Sequence, residues 1–451
     1  MNKKSKKHFE EHDPTKCIFC KNNLDFELPG DLLADLKDGN IVLFAGAGIS
    51  TESNYVYPES FYETIKAELN TSEGEDIAFP ELMERYSVQP NGRAKLLRQI
   101  KQRFDYIQSF KDLYDKATRF HKELSTLYLI ENIITTNWDD YFEKECGSIP
   151  FVTPEDFTFW SLEGRKVFKI HGSINNLGSI VATTNDYKKC YENLQNGIQG
   201  SNLKLLLATK TILYVGYSFR DHDFQKIHSI IKAEMGNLLP HSYIVTLDKD
   251  SSDRFQDLGL TPIFTDATHF VNILKKHLAE DQHFLPDERF EGIPKKLFQT
   301  YSEHKKLTDT NFKNNPEILY ASNYQDGLIH SFERILSLRK TGEYSHTCVL
   351  LTKIKEYERM QKTFLRKKSY SNVAYIEGYM NGMLYLIIND NERKYLPLYY
   401  AFGVKDQPQN LREFKKLQPK ASKLHKSAYR KAQELVGKLG DDVILHHTPF
   451  L

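Results

Sequence analysis

Residues Ile41 to Ala45 run unbroken apolar (Ile-Val-Leu-Phe-Ala) and lead straight into Gly46-Ala47-Gly48-Ile49-Ser50. No other feature narrows the possible folds as far. A strand with one face in water alternates apolar and polar residues, so five consecutive apolar residues ahead of a glycine turn indicate a strand buried on both faces. Short apolar runs recur at Asn132–Thr135, 167–170, Thr211–Val215, Ser242–Thr246 and 261–264, separated by stretches with helical spacing at 32–37, 59–69, 204–209, 224–235 and 268–278. Strands alternating with helices predict an α/β domain, doubly wound around a mainly parallel sheet.

The alternation stops at 279–294, a charged segment that contains Pro286 and Pro294. With 451 residues the chain is longer than one core usually serves. The spacing therefore predicts an N-terminal extension over 1–27, the α/β domain over 28–280 and a second, smaller α+β domain over 284–451. In that second domain the pattern predicts a helix at 329–339, strands at 347–351 and 395–402, a mixed apolar stretch at 373–388 and a terminal helix at 420–439.

Composition removes several function classes. Hydrophobic residues make up 40% and charged residues 27%, as in a water-soluble protein, and no apolar run approaches the ~20 residues that span a bilayer. The first 16 residues are Lys, Glu and His rich without an apolar core, which argues against a secretory signal and for the cytoplasm. A formal net charge of +1 gives no bulk argument for nucleic acid. Five cysteines, an odd number in a long chain, do not make a disulfide framework.

Polar and glycine residues gather just past the strands: Gly46 to Ser50 after the first, Thr136, Asn137 and Asp139 after the second, His171-Gly172 after the third, and Gly216-Tyr217-Ser218 after the fourth. An open parallel sheet binds its ligand outside the carboxyl ends of its strands. Gly46, Ala47 and Gly48 are small enough for the backbone to approach a diphosphate with its N–H groups exposed, or to make an ordinary tight turn.

In this order, GAGIS, T-x-N-x-D (Thr135 to Asp139), HG and GYS resemble the sirtuin superfamily over about residues 28–278. The resemblance implies a Rossmann-like domain that binds NAD⁺. It places Gly46, Ala47, Gly48 and Ser50 at the pyrophosphate, Thr136, Asn137 and Asp139 toward the nicotinamide ribose, Gly216 and Ser218 against the dinucleotide, and His171 as the catalytic residue with Asn137. Two features of deacylating sirtuins are missing: the G-I-P-D-F-R segment after the first loop, where 53–58 reads Ser-Asn-Tyr-Val-Tyr-Pro, and the paired C-x-x-C motifs after HG, where Cys190 stands alone. The run Thr183-Thr184-Asn185-Asp186-Tyr187 and the loop Gly216-Tyr217-Ser218-Phe219-Arg220-Asp221 are instead similar to sirtuin-like effectors of bacterial anti-phage systems. That branch implies NAD⁺ hydrolysis to nicotinamide and ADP-ribose, gated by homo-oligomer assembly, by a partner such as a HerA-type ATPase, or by a nucleotide or nucleic acid. Protein deacylation and a silent NAD-binding module are the alternatives.

The side chains suit the chemistry. Cleaving the nicotinamide glycosidic bond needs an anchored substrate, an oriented ribose and a proton acceptor. Asn137 can position water or a hydroxyl, and His171 can take the proton near neutral pH; no metal is expected in this step. Cys17 and Cys20, with His8 and His12, could hold zinc or remain reduced and unliganded. The terminal basic residues Lys415, Lys416, Lys420, Lys423, Lys426, Arg430 and Lys431 form a solvated face, or a surface for an acidic partner or nucleic acid.

Overall fold

A computed structural model describes residues 17, 19–50, 56–57, 59–71, 77–217, 232–233, 235–236, 240–280, 284–308, 312–417, 422–438 and 446–449. The chain divides into two compact units, Met1–Leu274 and Lys275–Leu451. Among the described residues the first unit holds one seven-stranded sheet: β1 (Ile41–Ala45), β2 (Asn132–Thr135), β3 (Ile149–Phe151), β4 (Lys166–Lys169), β5 (Thr211–Val215), β6 (Ser242–Thr246) and β7 (Leu260–Phe264). Its order is β3-β4-β2-β1-β5-β6-β7, and every pairing is parallel. All five residues of β1 are buried, as its unbroken apolar run requires.

The sheet is wound outward from β1 in two directions. The chain proceeds on one side through β2, the edge strand β3 and then β4, which fits between them, and crosses at β5 to continue on the other. Such a reversal leaves a crevice at the carboxyl ends of the central strands. On one face Val42, Phe44, Ile134, Phe168, Ile212 and Tyr214 pack with Leu203, Leu206 and Leu207 of the helix Ile198–Thr209. A separate apolar cluster joins the helices Phe61–Glu68, Phe79–Ser87 and Gly92–Ser109 to Tyr141 and Ile174.

Register between the two strands that carry the central motifs is set by a buried cation. Arg165, immediately before β4, is 2% exposed. Its guanidinium donates to the carbonyls of Ile130 at 2.9 Å, Ser125 at 3.1 Å and Leu127, all of them just ahead of β2. Three carbonyls satisfy most of its donors where water cannot reach, and they tie the start of β4 to the approach of β2.

Strand and helix expectations in the first unit hold to within a few residues, and β3, whose run contains Pro150, is added to them. The helix expected at 224–235 falls almost wholly outside the described residues. In the second unit the two expected strands do not form. Residues 347–351 open the helix Thr347–Arg366, whose buried Leu350 and Ile354 follow helical spacing. Residues 395–402 are irregular, because their backbone groups bond elsewhere: the Pro397 carbonyl accepts from Tyr324 Oη, the Leu398 carbonyl from Gln325 Nε2, and the Ala401 N–H donates to Gln407 Oε1. The mixed stretch 373–388 is the helix Tyr370–Ile387, and the terminal helix is Lys423–Val436. The second unit is thus helical, and an α+β mixture is replaced by packed helices.

Its centre is the crossing of Ile318–Ser337 and Tyr370–Ile387, both buried along most of their length. A Cβ at Gly327 would overlap the Tyr375 carbonyl, and one at Gly378 would overlap that of Tyr324. The two backbones touch there, which only glycine on both helices permits.

Two outcomes follow from this packing. Gly378→Ala should cost about 1–3 kcal/mol through forced separation of the helices, read as a shifted urea transition of the second unit; an unshifted midpoint would mean the helices part without strain. In the first unit His121 is fully buried, with no hydrogen-bond partner at either ring nitrogen. Burial, assisted by Lys169, lowers its pKa from 6.5 to about 3. The neutral ring's contribution is complete above pH 6.5 and is lost as pH falls toward 3, because the unfolded chain takes up the proton first. His121→Leu should therefore flatten the acid limb of stability by about 1.4 kcal/mol per pH unit across that window, measured by denaturation at a series of pH values.

Candidate active site

Parallel register brings the motif residues into rows across the crevice. Ala45 lies level with Thr135 on one side and Val215 on the other, and Thr135 lies level with Lys169. Ile170, Thr136, Gly46 and Gly216 therefore form the first row past β4, β2, β1 and β5. Asn137 and His171 stand two residues past β2 and β4, the Asn137 N–H on Thr135 Oγ1 at 3.0 Å and His171 in a turn closed by the Gly172 N–H on the Lys169 carbonyl at 3.3 Å.

The glycine loop is held by β5. The Gly46 N–H donates to the Val215 carbonyl at 2.9 Å, and the Gly48 N–H to the Gly216 carbonyl at 3.0 Å. These two amides, expected to face a diphosphate, are thus spent on the neighbouring strand end. The glycines answer to the same contact: a Cβ at Gly46 would lie 2.5 Å from the Gly216 oxygen, and one at Gly48 would lie 2.9 Å from it. Gly216 has φ +63°, and a Cβ there would meet Ile49 Cγ2 at 2.6 Å. Ala47 begins the short turn Ala47–Ile49 within this loop.

Asn137 is 5% exposed. Its Nδ2 donates to the Gly46 carbonyl at 3.1 Å and to Ser50 Oγ at 3.4 Å, which orients the amide, and its buried Oδ1 has no partner. The Ser50 hydroxyl donates to Asp139 Oδ2 at 3.0 Å, and the Tyr141 N–H to Asp139 Oδ1 at 3.3 Å. Asp139, expected beside the ribose, is 1% exposed with its carboxylate directed at these protein donors. Burial raises its carboxyl above the usual range, opposed in part by Lys169, Ser50 and the Tyr141 amide. Lys169 Nζ donates to the Asp139 carbonyl and lies 3.3 Å from Glu143 Oε1. Thr136 Oγ1 and Tyr217 Oη are 3.0 Å apart.

His171 is 3% exposed, with its ring edge-on to Tyr187 at 4.9 Å between centroids. Its carbonyl accepts from Val181 N at 3.0 Å. Gly172, at φ +85°, lies so close to the Ser179 carbonyl that a side chain would overlap it. The motif Thr183 to Tyr187 explains the placement of the ring. Thr183 and Asp186 form a capping box at the start of the helix Thr184–Asn196, and Asp186 pairs with Arg93 at 2.7 Å. Burial disfavours the Asp186 carboxylate, but the Thr183 and Ala182 amides and Arg93 outweigh it and lower the pKa. A fixed helix start then sets Tyr187 against His171.

Sequence reasoning passed over Tyr187, Tyr217 and Lys169 as partners of the site. A capping-box pattern ahead of Tyr187 was the available signal for the first; Tyr217 stands in the Gly216-Tyr217-Ser218 motif with no role of its own assigned to it, and Lys169 reads as an ordinary strand residue. Ser218 lies outside the described residues, as do Phe219, Arg220, Asp221, His8 and His12. Cys17 and Cys20 are not joined in a disulfide, and Cys190 Sγ lies 3.5 Å from the Ile170 carbonyl.

Comparison with known proteins bears on the same segment. Residues 131–263 match the model of the SIR2-like domain. The chain is 30% identical over 212 residues to the NAD(+) hydrolase ThsA of Cytobacillus dafuensis, covering 46% of this chain and 41% of that protein. It is 29% identical over 218 residues to the NAD(+) hydrolase ThsA of Enterococcus faecium, covering 47% and 44%. Defense-associated sirtuin 2 of Bacillus subtilis is 26% identical over 206 residues, 42% of this chain and 19% of that protein. The chain thus spans less than half the length of these relatives. The family match begins one residue before β2, ends within β7 and takes in Asn137, His171 and Gly216: the segment that carries most of the candidate site is SIR2-like.

Proposed function

We propose that this protein is an NAD⁺ glycohydrolase that releases nicotinamide and ADP-ribose as a gated effector of anti-phage defence. The observation that carries the reading is the Asn137 amide, fixed through its Nδ2 with a buried, unpartnered Oδ1 at the switch point of the sheet. A buried acceptor without a donor costs about 1–3 kcal/mol, and a ribose hydroxyl or the attacking water supplies the missing donor. His171, two residues past β4, accepts the proton as water adds to the ribose carbon and the bond to the nicotinamide nitrogen breaks. Nicotinamide leaves neutral, because the electron pair of that bond cancels the pyridinium charge. The names of the relatives support the same reaction and the same setting.

Uncontrolled hydrolysis of NAD⁺ would kill the cell that makes it, so the second unit serves control and assembly in a cytoplasmic homo-oligomer, alone or with a partner such as a HerA-type ATPase. Its basic residues Lys367, Lys368, Lys423, Lys426, Arg430 and Lys431 surround a cavity of about 600 Å³, which supports an anionic trigger or partner.

Asn137→Ala and His171→Ala should each lower nicotinamide release by ~10²-fold or more while far-UV circular dichroism stays unchanged. The assay is run under activating conditions with and without an acetylated peptide. Full turnover in either variant removes that residue from the mechanism, and release that requires the peptide makes the enzyme a deacylase. Light scattering should give the full-length protein a mass that is a multiple of the chain's; a monomer as active as the form truncated after Leu278 would leave the second unit without a role in control.

A further inference from the structure

Away from the sheet, in the second unit, three side chains from distant parts of the sequence converge. His304 lies on the helix Ile293–Thr308, Asp326 on Ile318–Ser337, and His446 in the segment 446–449. His304 Nε2 is 3.2 Å from His446 Nδ1 and 3.4 Å from Asp326 Oδ1, and His446 Nδ1 is 3.2 Å from Asp326 Oδ1. His304 and Asp326 are 7% and 4% exposed.

Hydrogen bonds around the triangle leave it rich in lone pairs. Gln325 Nε2 donates to the Leu398 carbonyl at 2.8 Å, so its Oε1 is the atom that faces His304 Nδ1 at 3.2 Å. The His304 proton therefore sits on Nδ1, and Nε2 points a lone pair into the triangle. Asp326 is held through its other oxygen, which accepts from the His447 N–H at 2.8 Å, so Oδ1 remains for the cluster. A single proton on His446 Nδ1 is all that separates three electron-rich atoms.

We propose that His304 Nε2, Asp326 Oδ1 and His446 Nδ1 bind a divalent transition-metal cation, zinc fitting best, which fastens the segment 446–449 to the helical unit. Zinc bonds of about 2.0–2.1 Å in a tetrahedron place neighbouring donor atoms ~3.3–3.4 Å apart, close to the three separations here. Two imidazoles and one carboxylate are borderline donors that suit zinc better than magnesium or calcium. The Gln325 amide on the far nitrogen of His304 and the His447 amide on the far oxygen of Asp326 are the supports that metal ligands ordinarily carry. The side chain of His446 is 53% exposed, which leaves a path for the ion and room for water as fourth ligand. The site contributes nothing to the reaction at β1 and β2, and its test does not depend on that activity.

The full-length protein is stripped with chelator, dialysed against zinc and then against metal-free buffer, and its metal content is measured. The wild type should retain about one zinc per chain and melt at a higher temperature with zinc than without. His446→Ala, a change at a half-exposed position, should lose both effects, as should Asp326→Asn, which keeps the shape and the bond to the His447 amide. The variant Cys17→Ser/Cys20→Ser should keep both, and circular dichroism confirms that each variant is folded. Replacing zinc by cobalt should give d–d absorption without thiolate charge-transfer bands. A wild type that retains no zinc, zinc retained equally by His446→Ala, or zinc that leaves with the two cysteines would each overturn the assignment.

Discussion

Backbone meets backbone where the loop after β1 crosses the end of β5, and the candidate site depends on that contact. The Gly48 N–H reaches the Gly216 carbonyl because neither residue carries a Cβ, and Gly216 adopts a left-handed conformation that other residues rarely hold. The Gly46 carbonyl, fixed by the same contact, accepts from Asn137 Nδ2. Orientation of the amide at the end of β2 is therefore set by glycines just past β1 and β5, the first and second strands on one side of it. A side chain at any of the three glycines would disturb Asn137 before it disturbed a substrate.

Buried charge does the corresponding work behind the site. Asp139, Glu143 and Lys169 lie together in surroundings where burial raises both carboxyls and the ammonium group opposes it. Asp139 accepts from Ser50 and from the Tyr141 N–H, while Glu143 meets the buried charge of Lys169 at 3.3 Å. The outcome is mechanical: Asp139 receives Ser50 and caps the turn into Tyr141–Cys146, so the T-x-N-x-D segment is rigid around Asn137. On the function proposed above, Asn137 is the residue that meets the substrate, and Asp139 positions the residues beside it.

The second unit solves a different packing problem. Two long helices, buried along most of their length, can pack together only if their backbones come close, and Gly327 and Gly378 allow it. Residues 395–402 then lie against this pair as an extended but unpaired segment, its carbonyls taken by Tyr324 and Gln325. Tyrosine and glutamine side chains replace the strand partner that the aromatic alternation at 395–402 suggests.

Much of the first unit was legible in the chain. Continuous apolar runs ended by glycine or by Asn, His and Asp state both that a strand is buried on two faces and that its carboxyl end is polar, and these local signals suffice for a doubly wound sheet with its site at the strand ends. The family resemblance rests on the same short segments. What they cannot state is where a side chain points once neighbouring strands are in register. Asp139 turned inward to Ser50, the amides of Gly46 and Gly48 were taken by the end of β5, and Tyr187 came to lie on His171 through a helix cap at Thr183, twelve residues further along the chain. At 347–351 the run Thr-Cys-Val-Leu-Leu suits a strand or a buried helix equally, and only the facing surface decided for the helix. The grouping of His304, Asp326 and His446 has no spacing at all to betray it, because ligands drawn from two helices and a distant segment meet only through tertiary packing. The sequence by itself determined the sheet and the order of its motifs; the tertiary structure alone decided which polar atoms remain for a ligand, since each such atom is defined by the partners that folding does or does not bring to it.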